Sequence, residues 1–286
     1  MQSRRQFIRH TGLLSCAPLL ANAAFCAGSG KQLSIGACDW SIGKSSDPAA
    51  FEVARQIGLK GLMVNIGNLN NDLHLRKKEV QQTFLDASRD SGVEISSVAL
   101  AELNGIPYKS DPRTIEWVRD SIDVAKALGV PVVLLAFFEK NDLRNDAKGK
   151  EEVIRRLREV MPRAEQVGIT LGIESYLDAR EHMEIIDKVG SPNLKVYYDF
   201  RNTADAGYDT IKEFKKLGKD RICELHIKEN GFLLGKGTLD WKEIFKAIKD
   251  TGYIGDGWAQ IEGAIPDGAE MMSSYKHNLA YLKSII

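Results

Sequence analysis

The sequence predicts an α/β fold, a closed (β/α)8 barrel of the TIM-barrel class, over residues 31–286 as a single domain. Three observations carry this prediction. From Leu33 onward, eight short runs of apolar and β-branched residues alternate with longer amphipathic stretches. A glycine closes most of the amphipathic stretches. The length past residue 30 suits a barrel of roughly 250 residues, and no linker or low-complexity stretch divides it.

In chain order the predicted strands are residues 33–38, 61–66, 94–100, 131–137, 170–174, 194–199, 222–227 and 259–262. The helices between them include 48–57, 77–91, 114–128 and 151–166. In the third, Ile115, Val118, Ile122 and Ala125 recur at three- and four-residue steps, which lays them on one helical face. Gly58, Gly92, Gly129, Gly168, Gly190, Gly218 and Gly252 follow helices, where a left-handed residue ends the turn. Asp240 and Glu243 form an Asp-x-x-Glu capping box, and Pro48 and Pro112 suit first-turn positions. A doubly wound open sheet is the alternative, but its Gly-rich phosphate fingerprint after the first strand is missing.

Strands covered on both faces are expected to be apolar throughout. The last four break that rule in phase. Leu171 and Ile173 share one face while the strand ends in Glu174; the next strand ends in Asp199. Cys223, Leu225 and Ile227 alternate with Glu224, His226 and Lys228, and Ala259 and Ile261 alternate with Gln260 and Glu262. With the apolar face against the helices, the charged face points into the barrel mouth, where TIM-barrel sites lie. Glu174, Asp199, His226 and Glu262 would converge there. Three carboxylates at close range need a counter-charge. One divalent metal ion supplies it, and three oxygens with one imidazole suit Mn²⁺ first, then Mg²⁺, Co²⁺ or Zn²⁺.

The stretches Gly172-Ile173-Glu174-Ser175, Tyr197-Tyr198-Asp199-Phe200-Arg201-Asn202, Glu224-Leu225-His226-Ile227-Lys228-Glu229, Gly235 to Trp241 and Gln260-Ile261-Glu262-Gly263 resemble the sugar phosphate isomerase/epimerase family of xylose-isomerase-like barrels, which includes the keto-sugar 3-epimerases. The resemblance covers the barrel and is strongest from residue 170. It implies that Glu174, Asp199, His226 and Glu262 bind the metal, and that Glu174 and Glu262 double as catalytic acid/base groups on opposite sides of a sugar. The sequence departs from the family at Asn202, where many members carry His, at Arg180, where an acid is common, and at Asn65, where Glu is frequent.

Further candidates surround these four. Lys228 is placed to donate to a developing oxyanion. His74, in the loop after the second strand, and Asn202 are candidate substrate ligands, and Trp40, Phe137 and Phe138 are candidate apolar walls. Gly235-Lys236-Gly237 reads as an anion cradle or as a tight turn before Asp240. The expected chemistry is proton abstraction beside a sugar carbonyl, giving isomerisation or epimerisation. Elimination from a 3-keto-glycoside is the alternative, and a metal phosphoesterase or a non-catalytic sugar-binding barrel are more distant ones.

Residues 1–30 stand apart. Ser3-Arg4-Arg5-Gln6-Phe7-Ile8-Arg9 precedes an uncharged run rich in Ala, Ser and Gly, and Ala21-Asn22-Ala23 suits a cleavage site. This reads as a twin-arginine export signal, so a periplasmic protein is expected. Leu13-Leu14-Ser15-Cys16 weakly resembles a lipid-attachment box. A stable span needs about 20 strongly apolar residues, so no lasting membrane insertion is expected. The chain has 39 basic and 39 acidic residues; Arg4, Arg5 and Arg9 lie before residue 31, which leaves 36 basic against 39 acidic. That balance argues against a nucleic-acid partner, and the resemblance implies a small sugar or keto-glycoside instead. The sequence leaves oligomeric state open, a homo-oligomer included. Cys38 and Cys223 are expected to be buried free thiols, since they sit in apolar strand-like runs not placed next to each other, and no Cys/His spacing suggests a zinc knuckle.

Overall fold

The computed structural model describes residues 33–253, 255 and 257–286. The proposed export signal lies outside the described residues.

Eight parallel strands close into a barrel in sequential order. They are β1 (Ser34–Cys38), β2 (Gly61–Asn65), β3 (Glu94–Leu100), β4 (Val132–Phe137), β5 (Thr170–Ser175), β6 (Leu194–Asp199), β7 (Ile222–Glu229) and β8 (Trp258–Gly263). Ala37 on β1 pairs with Leu62 of β2 on one side and Ile261 of β8 on the other, so no sheet edge is left open. The helices are α1 (Ala50–Ile57), α2 (Lys78–Ser91), α3 (Arg113–Leu128), α4 (Ala147–Val167), α5 (Ala179–Val189), α6 (Phe200–Asp205), α7 (Thr210–Leu217), α8 (Trp241–Asp250) and α9 (Met271–Ile285). Two helices, α6 and α7, follow β6 where the sequence suggested one. Pro48 stands just ahead of α1, and Pro112 is the N-cap of α3, each slightly upstream of the first turn. Asp240 caps α8 by accepting from Lys242 N and Glu243 N.

The core has two layers set by strand periodicity. On β4, Val133, Leu135 and Phe137 pack outward against the helices, while Val132, Leu134 and Ala136 line the interior. The same alternation puts Ala37, Leu62 and Val98 outside and Cys38, Met63 and Ala99 inside. Burying each large outer side chain contributes about 1.5–3 kcal/mol, so the outer layer carries most of the stability and the inner layer is left to carry the site.

One phase expectation fails. Cys223 does not share a face with Leu225 and Ile227; it packs in the interior cluster with Tyr197. The β6–β7 register jumps from Val196↔Ile222 to Tyr197↔Glu224, which makes Cys223 the extra residue of a bulge. Downstream of the bulge the predicted phase holds.

Candidate active site

Glu174, Asp199, His226 and Glu262 meet at the C-terminal ends of β5 to β8, each offering a ligand atom within 4.8 Å of the others. Glu174, Asp199 and His226 are buried. His226 Nδ1 stands 3.0 Å from Glu174 Oε1, 3.5 Å from Glu262 Oε2 and 3.9 Å from Asp199 Oδ2.

The surroundings orient each group. Asp199 is the N-cap of α6: its Oδ1 accepts from Asn202 N at 2.8 Å, while its buried Oδ2 has no hydrogen-bond partner. Asn202 also donates from Nδ2 to Glu174 Oε1 at 3.1 Å. Glu262 is held from both sides, Oε1 by Trp40 Nε1 at 2.8 Å and Oε2 by Lys228 Nζ at 3.0 Å. The Tyr197 ring lies 4.6 Å from that of His226, and Cys38 Sγ lies 3.3 Å from His226 Nε2.

Charges at this density perturb one another. Burial pushes Asp199 up to about 7, with repulsion from Glu174 and Glu262 adding to it and Lys228 and His226 opposing. Burial would raise Glu262 as well, but His226 and Lys228 outweigh it and bring it down to about 2. Burial works against charge on Lys228 and His226, yet the surrounding carboxylates hold both above their ordinary values. A buried carboxylate oxygen without a donor, facing two more carboxylates and an imidazole nitrogen, fits a divalent cation in both charge and donor type.

Beneath the cluster, Glu224 Oε1 accepts from Ser97 Oγ at 3.0 Å, Tyr197 Oη at 2.8 Å and Gln260 Nε2 at 2.6 Å, a polar floor that the inner phase of β7 and β8 foreshadowed. Above it opens a cavity of about 260 Å³ whose walls include Trp40, Asn65, Phe138, Tyr176, Asn202 and Lys228. The Phe138 and Tyr176 rings meet edge to face at 4.8 Å, and the Arg144 guanidinium lies 4.4 Å over Tyr176. Asp39 braces the rim, its Oδ2 accepting from Ser46 N and Asn65 N at 2.9 Å each.

Trp40, Asn202 and Lys228 therefore reach the cavity. His74 does not: its Nε2 is bonded to the Ser46 carbonyl at 3.0 Å and its ring packs on Phe84. Phe137 also misses the site, because strand parity turns it outward onto Tyr108 while Phe138 turns in. Gly237 forms no anion cradle; the Glu229 carboxylate fills the space a Cβ would need, 2.4 Å from it. Tyr176, just past Glu174 and Ser175, is a wall residue the sequence reading overlooked. Its place directly after a strand end was the available signal.

A closed parallel barrel with an acidic cluster and one imidazole at its C-terminal mouth defines the class: a TIM barrel with a polar centre ready for a cation. The chain belongs to the Xylose isomerase-like TIM barrel family, whose sequence profile matches residues 51–285. It is 30% identical over 144 residues to D-psicose 3-epimerase of Enterocloster bolteae, a match covering 47% of this chain and 47% of that protein, so it spans about half of that relative. It is also 27% identical over 228 residues to probable endonuclease 4 of Bacillus cereus, covering 72% of this chain and 76% of the relative. The structure of D-psicose 3-epimerase with D-tagatose from Clostridium cellulolyticum H10 superposes with a TM-score of 0.73 over 88% of this chain and 99% of that one, at 18% identity, a likeness of fold.

Proposed function

We propose that this chain is a divalent-cation-dependent isomerase or epimerase that moves a proton beside the carbonyl of an unphosphorylated sugar. The observation that carries the proposal is the joint placement of Glu174 and Glu262 in one cavity wall with Asp199 and His226 behind them. Glu174, Asp199, His226 and Glu262 would hold the cation. When bound, it supplies Lewis-acid polarisation of a sugar carbonyl and its neighbouring hydroxyl. Mn²⁺ is favoured on the oxygen-rich donor set, with Mg²⁺, Co²⁺ and Zn²⁺ as alternatives.

Proton transfer falls to the two glutamates. Glu174 keeps Oε2 outside the Asn202 Nδ2 hydrogen bond that anchors Oε1, so one oxygen is available to a C–H proton. Glu262, braced by Trp40 and Lys228, serves from another strand end. Lys228 is placed to donate to the oxygen on which negative charge develops. The aromatic pair Phe138 and Tyr176 suits the apolar face of a sugar ring.

Charge supports an unphosphorylated substrate. Among the described wall residues Lys228 is the cationic one, and Glu262 already engages it. Apart from the proposed cation, a phosphate dianion would meet no unpaired side-chain cation at this wall, since Arg144 over Tyr176 is already paired with Asp142. The same charge count speaks against nucleic-acid phosphate as substrate, despite the endonuclease relatives, and His226 is the one histidine in the cluster. Elimination from a 3-keto-glycoside begins with the same proton abstraction, and product analysis separates the two outcomes. The proposal extends to location: Arg4-Arg5 and the run behind them support twin-arginine export to the periplasm. Among the described residues no helix is long and apolar enough to cross a membrane.

The test is a ketose and keto-glycoside panel in heavy water with Mn²⁺-loaded protein, read by NMR. Deuterium on a carbon beside the carbonyl of an isomeric product supports the proposal. An unsaturated sugar with a released alcohol supports elimination. Product that retains its original hydrogen overturns solvent-exchanging proton transfer.

A further inference from the structure

His226 uses one ring nitrogen for the carboxylate cluster, which leaves the other to be accounted for. Nε2 points away from the cluster, and its partner is Cys38 Sγ at 3.3 Å. Both residues are fully buried, so bulk solvent reaches neither one. The two lie 188 residues apart in sequence and meet because β1 and β7 both border β8 in the closed barrel.

The ring has little freedom to turn. The Tyr197 ring centre lies 4.6 Å from that of His226, and the Trp40 ring stands nearly perpendicular to it with centres 6.4 Å apart. The thiol has its own outlet: Cys38 Sγ lies 4.0 Å from Met63 Sδ, a thioether that can only accept. A consistent chain then runs from His226 Nε2–H to Cys38 Sγ, and from Cys38 S–H to Met63 Sδ. With the proton on Nε2, the Nδ1 lone pair faces Glu174, Asp199 and Glu262. In the opposite tautomer Nδ1 carries the proton and has no lone pair to give.

We propose that Cys38 is a positioning residue for the cation centre: its sulfur accepts from His226 Nε2–H and holds the imidazole in the tautomer that presents Nδ1 as a ligand. This rests on the cation-centre reading above. Ligand histidines generally owe tautomer and orientation to the partner of the second nitrogen, and loss of that partner typically costs 10- to 100-fold in metal affinity. The partner here is a thiol rather than the more usual carboxylate or carbonyl. It orients the ring without adding a fourth negative charge to the cluster.

The test is Mn²⁺ affinity by calorimetry on wild type, Cys38→Ala and Cys38→Ser, with ¹⁵N-histidine NMR on the Zn²⁺-loaded, diamagnetic forms. Cys38→Ala should bind Mn²⁺ roughly 10- to 100-fold more weakly. Cys38→Ser, which keeps an acceptor and a donor, should recover most of the affinity. The Nε2–H signal of His226 should be present and slow to exchange with solvent in wild type, and should shift and exchange faster in Cys38→Ala. Wild-type affinity in Cys38→Ala overturns this inference alone, and so does equal loss in the Ser and Ala variants. Wild-type protein that takes up no Mn²⁺ overturns the cation-centre reading and this inference with it. The wild-type NMR measurement stands even where a variant does not fold: a rapidly exchanging Nε2–H, or a proton on Nδ1, overturns the assignment.

Discussion

Trp40 Nε1 donates to Glu262 Oε1 over 2.8 Å, joining the first turn after β1 to the end of β8 across the seam where the barrel closes. Lys228 takes the other oxygen of the same carboxylate at 3.0 Å. Trp40→Phe keeps the ring and deletes the donor. Glu262 should then swing more freely, and turnover should fall roughly tenfold with the fold intact, in line with the loss of a partner that orients a ligand. Steady-state kinetics beside circular dichroism would check this, and unchanged turnover would remove Trp40 from the orienting role.

His226→Ala deletes the one imidazole of the cluster. Wild-type protein should gain thermal stability with Mn²⁺, on the order of 3 kcal/mol when the free ion exceeds its Kd about a hundredfold, and should lose that gain on chelation. The variant should show a melting temperature that ignores both Mn²⁺ and chelator. Calorimetry with metal analysis decides it, and an equal Mn²⁺ response in the two proteins would count against the site.

Glu174→Gln and Glu262→Gln each keep a ligand oxygen and remove a base. Each should lower turnover on the order of 10²- to 10⁴-fold, the scale of a general-base contribution. Bound metal must be quantified in the same samples, because metal loss would imitate the effect. Either variant turning over at the wild-type rate with full metal content would free that glutamate from proton transfer.

His182 should give the fold a pH dependence of its own. Its Nδ1 is bonded to the Asp178 carbonyl at 3.0 Å and its Nε2 to Ser175 Oγ at 2.9 Å, an arrangement that the neutral ring satisfies. Burial brings its pKa down to about 4, below the ordinary 6.5. The unfolded chain therefore takes up the extra proton first as pH falls. This contribution to stability is intact above about 6.5 and is lost as pH drops toward 4. Between pH 7 and pH 5 it amounts to about 2 kcal/mol. Urea unfolding of wild type and His182→Gln at both pH values should show the smaller pH difference in the variant; identical differences would contradict the neutral buried ring.

Export is testable without activity. Replacing Arg4 and Arg5 together by Lys should leave the protein in the cytoplasm at full length. Immunoblots of cell fractions report it, and normal export of the double variant would defeat the twin-arginine reading.

Much of the site was legible before the fold. The inner phase of Glu174, His226 and Glu262 follows from two-residue alternation, since a strand buried on its outer face must send its polar residues inward. Strand ends were legible too, because the apolar runs stop where the chain leaves the barrel. Cys223 escaped because a bulge adds one residue and no periodicity announces it. His74 escaped because a loop is free of strand phase, and its ring found the Ser46 carbonyl instead of the cavity. Phe137 and Phe138 could have been separated by parity, which places one outside and the other at the cavity wall. Away from the β6–β7 bulge, sequence by itself determined which strand side chains enter the barrel, because alternation is local and each strand carries it alone. Only the tertiary structure decided which of them touch. The partnerships of Trp40 with Glu262 and of Cys38 with His226 link residues about 200 positions apart, and they depend on barrel closure, which brings β1 beside β8 and is written in no single segment.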